Sequence, residues 1–178
     1  MLKASLAKIV EAKKRENLPD FLIVNFLKEY LQYPVLDFLY KRDKYRDFIF
    51  TGGSCLRICF GLPRLSEDLD FDLEKADYED LDLEEMAEEI KKVFAKNYLF
   101  DIETKVQKQN RIYLKFPVLR ELGLNFGGGS DFLYVKIEPS GKKHEKMKAE
   151  IQAVSEFGYN FILKRYALGG MMTNKIIA

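Results

Sequence analysis

The chain has 178 residues, 47 % hydrophobic and 32 % charged, a globular composition that excludes disordered and fibrous classes. Its length suits one unit over 1–178, with a helical N-terminal segment (1–46) and a mixed-sheet core (47–178). Lysine plus arginine (29) and aspartate plus glutamate (28) nearly cancel, so only a local patch can draw a polyanion.

Residues 4–15 place Leu6, Ile9 and Val10 at helical spacing, with Lys and Glu opposite. A second helix is expected from "LPDFLIVNFLKEYLQ", with Pro19 in its first turn. Pro34 is expected to end or kink it, and "VLDFLYKR" to form a third short helix. "DFIFT" is a short apolar strand, "GGS" a turn, and "CLRICFG" a helix closed by Gly61. "DLDFDLE" alternates strictly and reads as a strand. "YEDLDLEEMAEEIKKVFAKN" reads as one helix with acids early and lysines late, as the macrodipole favours. A hairpin turning near Asn110 follows, then a "GLNFGGGSD" loop and a strand "FLYVKIEP" stopped by Pro139. "SGKKHEKMKAE" reads as a polar loop, "FILKRYAL" as a last strand, and "GGMMTNKIIA" as the start of a helix. Helices interleaved with parallel and hairpin strands indicate an α/β (α+β) fold with a mixed sheet.

Cys55 and Cys59 lie four apart on a predicted helix, where a disulfide is disfavoured, and His144 is the only histidine. The cysteines therefore read as reduced thiols and not as a zinc site, which fits a cytoplasmic location. The N-terminus lacks the apolar core of a signal peptide, and no window approaches the ~20 apolar residues of a membrane span.

The stretch from Phe50 to Glu74, "FTGGSCLRICFGLPRLSEDLDFDLE", holds the chemistry. On a strand, Asp68, Asp70 and Asp72 share one face, and Leu69, Phe71 and Leu73 the other. Carboxylates this close repel, and a divalent cation with oxygen ligands, Mg²⁺ or Mn²⁺, relieves that repulsion. A strand entering Gly52-Gly53-Ser54 and then a helix presents unpaired N–H groups, a seat for phosphate. A metal-binding carboxylate pair beside such a cradle is what nucleotidyl transfer requires. Plain readings stand beside this one: a structural Gly-Gly-Ser turn and a solvated acidic strand face. A calcium loop is a further alternative. Asp68, Asp70, Asp72 and Glu79 fall at the first, third, fifth and twelfth positions of an EF-hand, but Leu73 stands where its glycine belongs.

The same stretch resembles the signature of the AbiEii-type toxin nucleotidyltransferases, within the DNA polymerase β-like nucleotidyltransferase superfamily. The matching residues are Gly52, Gly53, Ser54, Leu56, Arg57, Arg64, Ser66, Asp68, Leu69, Asp70 and Phe71. The resemblance implies a nucleotidyltransferase fold and transfer of an NMP from an NTP to an acceptor hydroxyl, on tRNA, another RNA or protein. It implies Asp68, Asp70 and Glu138 as metal ligands, with Glu138 the third acid or the base. Gly52, Gly53 and Ser54 would hold the triphosphate, Arg64 and Ser66 would orient the loop or touch phosphate, and Lys175 would neutralise the charge. It implies a toxin with a cognate antitoxin, from a toxin–antitoxin or phage-defence pair. Members usually continue past the lysine helix into a C-terminal helical region, and this chain stops three residues after Lys175. A truncated C-terminal region is therefore expected, and with it the alternative of a module that binds NTP and metal without turnover.

On the predicted strand 132–139, Tyr134, Lys136 and Glu138 oppose the apolar Leu133, Val135 and Ile137. Lys136 then reads as a charge partner on the acidic face, and Asp72 as peripheral. Lys142 to Lys148 reads as a solvated loop or as a phosphate-backbone contact for RNA, which Arg111, Lys115 and Arg120 would extend.

Overall fold

The computed structural model describes residues 2–108, 110–124, 130–141 and 147–171. The order is α1 (Leu2–Arg15), α2 (Asp20–Tyr40), β1 (Ile49–Thr51), α3 (Gly52–Phe60) and β2 (Asp68–Asp72). Then come α4 (Lys75–Glu79), α5 (Leu83–Tyr98), β3 (Glu103–Gln107), β4 (Arg111–Pro117), β5 (Phe132–Ser140), β6 (Ala149–Glu156) and β7 (Tyr159–Tyr166). Among the described residues the strands form one seven-stranded mixed sheet, ordered β3-β4-β5-β2-β1-β7-β6. The centre is parallel at β2–β5 and β1–β7 and antiparallel at β1–β2. Two hairpins, β3–β4 and β6–β7, extend it on either side. The expected α/β (α+β) class with a mixed sheet is what the chain adopts.

Helix α2 is the apolar pillar. From Glu29 to Leu36 every residue is buried, as are Phe38, Leu39 and Tyr40, so this half is enclosed on all sides. Pro34 neither ends nor kinks it into a third helix: α2 runs through for 21 residues. Leu31, Val35, Leu36 and Leu39 around the proline are all fully buried. Each such burial is worth roughly 1.5–3 kcal/mol, so together they outweigh a proline cost of about 3 kcal/mol. Tyr40 at the end of α2, Phe48 and Phe50 pack around Phe71, with ring centroids 5.4 to 6.4 Å from it.

Three other elements differ from the sequence expectation. The single helix expected over 78–97 is two, because the Asp82 carboxylate accepts the Glu85 N–H at 2.9 Å and starts α5 afresh. Pro139 does not stop its strand, since β5 continues to Ser140. Ser140 turns its carbonyl toward β2, accepting from Leu73 N at 2.8 Å. The nitrogen of Pro139 therefore faces the other way, past the end of the β4 pairing at Ile112–Ile137, and no ladder bond is lost. Strand β6 lies at a sheet edge and is mostly exposed, so its sequence carries no clear alternation. It joins β7 through Phe157 and Gly158, both at positive φ (52° and 82°), the two-residue turn that suits a hairpin.

No helix among the described residues is long and apolar enough to cross a membrane. Phe71 is fully buried at the junction of three aromatic neighbours. Phe71→Ala is expected to cost about 3–5 kcal/mol, read as a lowered midpoint in urea unfolding with the slope unchanged.

Candidate active site

The site is built where three central strands pass side by side. Thr51 on β1 pairs with Asp70 on β2, and Asp70 pairs with Glu138 on β5. Two residue pairs along, Asp68 stands opposite Lys136. Alternation keeps Leu69, Phe71, Val135 and Ile137 in the core, so Asp68, Asp70, Lys136 and Glu138 share the other face. The parallel β2–β5 register thus brings together acids that are 68 to 70 residues apart in the chain.

Strand β1 runs straight into α3 at Gly52, whose φ of +73° only glycine adopts readily. A Cβ built on Gly52 would lie 2.0 Å from Asp70 Oδ2, so the carboxylate rests directly on the backbone at the start of α3. A Cβ on Gly53 would lie 2.5 Å from the Ser66 hydroxyl oxygen. Both glycines are therefore demanded by close approach of the acid strand and its preceding loop.

Ser54 sits differently from the expectation. It is fully buried, and its hydroxyl donates to the Asp68 main-chain carbonyl, pinning α3 to β2. Its side chain is committed inward, which leaves its backbone N–H, and not its hydroxyl, for a ligand at the helix start. Arg64 is exposed on the α3–β2 loop. Lys175 lies outside the described residues, as do Lys142, Lys143, His144 and Lys146 of the expected basic loop. Arg111 and Lys115 of that expected patch are engaged, with Glu138 at 3.0 Å and Glu103 at 3.6 Å. Arg120 is exposed.

The loop that carries Ser66 is held from α2. Gln32, buried in the apolar helix, donates to the Ser66 carbonyl at 2.8 Å, and Lys28 pairs with Glu67 at 2.6 Å. Arg57 on α3 bonds the buried Glu29 of α2 at 2.8 Å and donates to the Leu62 carbonyl at 3.1 Å. These braces were missed in the sequence. The available signal was a charged and an amide residue, Glu29 and Gln32, inside an otherwise apolar run.

The electrostatics of the acids are uneven. Lys136 Nζ bonds Asp68 Oδ2 at 2.7 Å and Glu138 Oε2 at 3.1 Å. Burial works against the Lys136 ammonium, but its hydrogen bonds to the two carboxylates outweigh that and raise its pKa. Arg111 Nε holds the other oxygen of Glu138 at 3.0 Å. Asp70, by contrast, has no ion pair among the described residues. Burial first, then the negative charges of Asp68 and Glu138, push its pKa up to about 6, and Lys136 offsets only part of this.

Asp68 and Asp70 fit a hard divalent cation: two oxygen donors on one face, one of them short of positive charge. Glu138 stands beside them, but its oxygens are already bonded to Arg111 and Lys136, and no three ligand side chains group around one point among the described residues. The calcium-loop alternative does not fit. Asp68, Asp70 and Asp72 lie in a strand paired on both sides, so the first and last are roughly 13 Å apart along it, and Asp72 is buried.

A family model described as "Nucleotidyl transferase AbiEii toxin, Type IV TA system" matches residues 35–178. No curated protein and no solved structure matches the chain.

Gly52→Ala combines a strained φ with a collision on Asp70, so a loss of at least ~1–2 kcal/mol is expected in thermal or urea unfolding. Asp70 has a second consequence in metal-free protein. Its folded pKa lies above its unfolded value, so its favourable contribution is full below about pH 4 and is lost as pH rises through about 6. A rise from 3.8 to about 6 corresponds to a swing on the order of 3 kcal/mol. Asp70→Asn is expected to flatten this decline, measured by urea unfolding between about pH 4 and 7 with chelator present.

Proposed function

The chain belongs to the AbiEii family of nucleotidyl transferase toxins of type IV toxin–antitoxin systems, and we propose that it transfers an NMP from an NTP to an acceptor hydroxyl. The observation that carries this reading is the seating of the Asp70 carboxylate on Gly52, which puts an acid pair at the N-terminus of α3. A helix start attracts phosphate and an acid pair attracts a divalent cation, so an NTP with its metal suits the junction.

Asp68 and Asp70 would hold Mg²⁺ or Mn²⁺. Bound there, the cation supplies a Lewis acid that offsets charge building on the phosphoryl and leaving oxygens. The backbone N–H groups of Gly53 and Ser54 donate to the triphosphate at the α3 terminus, and Gly52 lets it approach. Ser66 packs on Gly53 and keeps the loop seated, and Arg64, exposed on the same loop, would touch phosphate in this reading. Lys175 adds positive charge to the triphosphate in this reading.

The acceptor oxygen forms a bond to the α-phosphorus as the bond to the bridging oxygen breaks. Pyrophosphate leaves, and the acceptor proton passes to the Glu138 carboxylate, the base in this reading. The acceptor in this reading is RNA, tRNA included, or a protein, in the cytoplasm. The opposing partner is a cognate antitoxin, as the type IV family implies.

The test uses purified protein, each α-phosphate-labelled NTP, total RNA and Mg²⁺. Label on RNA or on protein is expected, the receiving species naming the acceptor class. It is expected to vanish in Asp68→Ala and Asp70→Ala, a drop of at least ~100-fold, with circular dichroism unchanged. Undiminished transfer in both variants would overturn the assignment of the acids. NTP binding without any label would favour a module that binds and does not turn over.

A further inference from the structure

We propose that the Lys136 ammonium takes the place of a second metal ion, so that this acid wall holds a single divalent cation on Asp68 and Asp70. The inference rests on the nucleotidyl-transfer reading and concerns how its charge is balanced.

The geometry that points to it is the division of the carboxylate oxygens. Lys136 lies opposite Asp68 in the β2–β5 register and bridges Asp68 Oδ2 (2.7 Å) to Glu138 Oε2 (3.1 Å). Arg111 closes the remaining oxygen of Glu138 at 3.0 Å. Glu138 therefore has both oxygens bound to fixed cations, and Asp68 has one. Among the described residues, the donors left without an ion pair are the second oxygen of Asp68 and the carboxylate of Asp70.

A site for two metal ions needs carboxylates that bridge them. Here the gap between Asp68 and Glu138, where a second ion would be shared, is filled by an ammonium. Lys136 cannot be put aside easily. Its side chain is 19 % exposed, its strand is paired on both edges, and leaving would strand Asp68 and leave Glu138 to Arg111 alone.

Charge counting agrees. Asp68, Asp70 and Glu138 contribute three negative charges, and Lys136 with Arg111 two positive, leaving one negative. One divalent ion then leaves a single positive charge facing an NTP. Two would leave three positive charges on a wall whose own side chains already offset two of its three negative charges. A fixed ammonium also needs no loading step: it is oriented before any substrate arrives. Lys136 is thus a positioning residue, holding the carboxylates of Asp68 and Glu138 in place.

The experiment counts ions without relying on turnover. Full-length protein is titrated with Mn²⁺ alone, and free Mn²⁺ is read by electron paramagnetic resonance. One bound ion is expected in the wild type, in Lys136→Arg and in the charge-removal control Lys115→Met. Two are expected in Lys136→Gln. Asp70→Asn is expected to bind none, while Glu138→Gln keeps one at weaker affinity; this pair tests the placement even where Lys136→Gln fails to fold. Two ions in the wild type, or one in a folded Lys136→Gln, would overturn the inference and leave the nucleotidyl-transfer reading standing. Loss of the ion in Glu138→Gln would overturn it as well. No Mn²⁺ bound to the wild type would overturn both.

Discussion

The approach of the Asp70 carboxylate to the backbone of Gly52 is the constraint around which the rest is arranged. A side chain at position 52 would occupy the space of Asp70 Oδ2, so the β1–α3 turn and β2 can come together only through glycine. The positive φ of Gly52 sends the chain from β1 directly into α3. That turn sets the helix start against a strand that carries Asp68 and Asp70 on its open face. The antiparallel pairing of β1 with β2 then holds the contact in register, with Thr51 opposite Asp70.

A contact this close needs support from outside the motif, and α2 provides it. Gln32 and Lys28 hold the loop before β2, and Glu29 holds Arg57 of α3. Three residues within five positions of one helix therefore fix both halves of the site. The buried Gln32 is costly in an apolar helix unless its amide is bonded, and the Ser66 carbonyl satisfies it. The proline two residues later is tolerated for the same underlying reason: the helix is held by what packs around it more than by its own hydrogen bonds.

The acids illustrate how a sheet face divides labour among like charges. Asp68 and Glu138 are neutralised by Lys136 and Arg111 from neighbouring strands. Asp70, between them in the sheet, keeps the electrostatic cost of its burial. Concentrating the uncompensated charge on one carboxylate creates a position where a cation is favoured. The penalty is borne locally and the surrounding core of Leu69, Phe71, Val135 and Ile137 remains apolar.

Much of this was legible in the order of residues because it is local. Alternation in Asp68–Asp72 decides which side chains face the core, and the glycine at the end of an apolar strand decides the turn. The alternation of 132–138 likewise separates Leu133, Val135 and Ile137 from Lys136 and Glu138. What sequence alone determined, then, was the fold class, the acid face and the glycine turn, since periods of two and 3.6 residues act within a few positions. Tertiary structure decided the rest. Ser54 turned inward because β2 brought it the Asp68 carbonyl, and Arg111 left its expected patch because β4 lies beside β5 and Glu138 was within reach. Pro34 and Pro139 were absorbed by packing and by a neighbouring strand that had already ended. Each of these outcomes depends on which strand lies beside which, and strand order is set by the collective burial of the whole core, not by any short stretch of the chain.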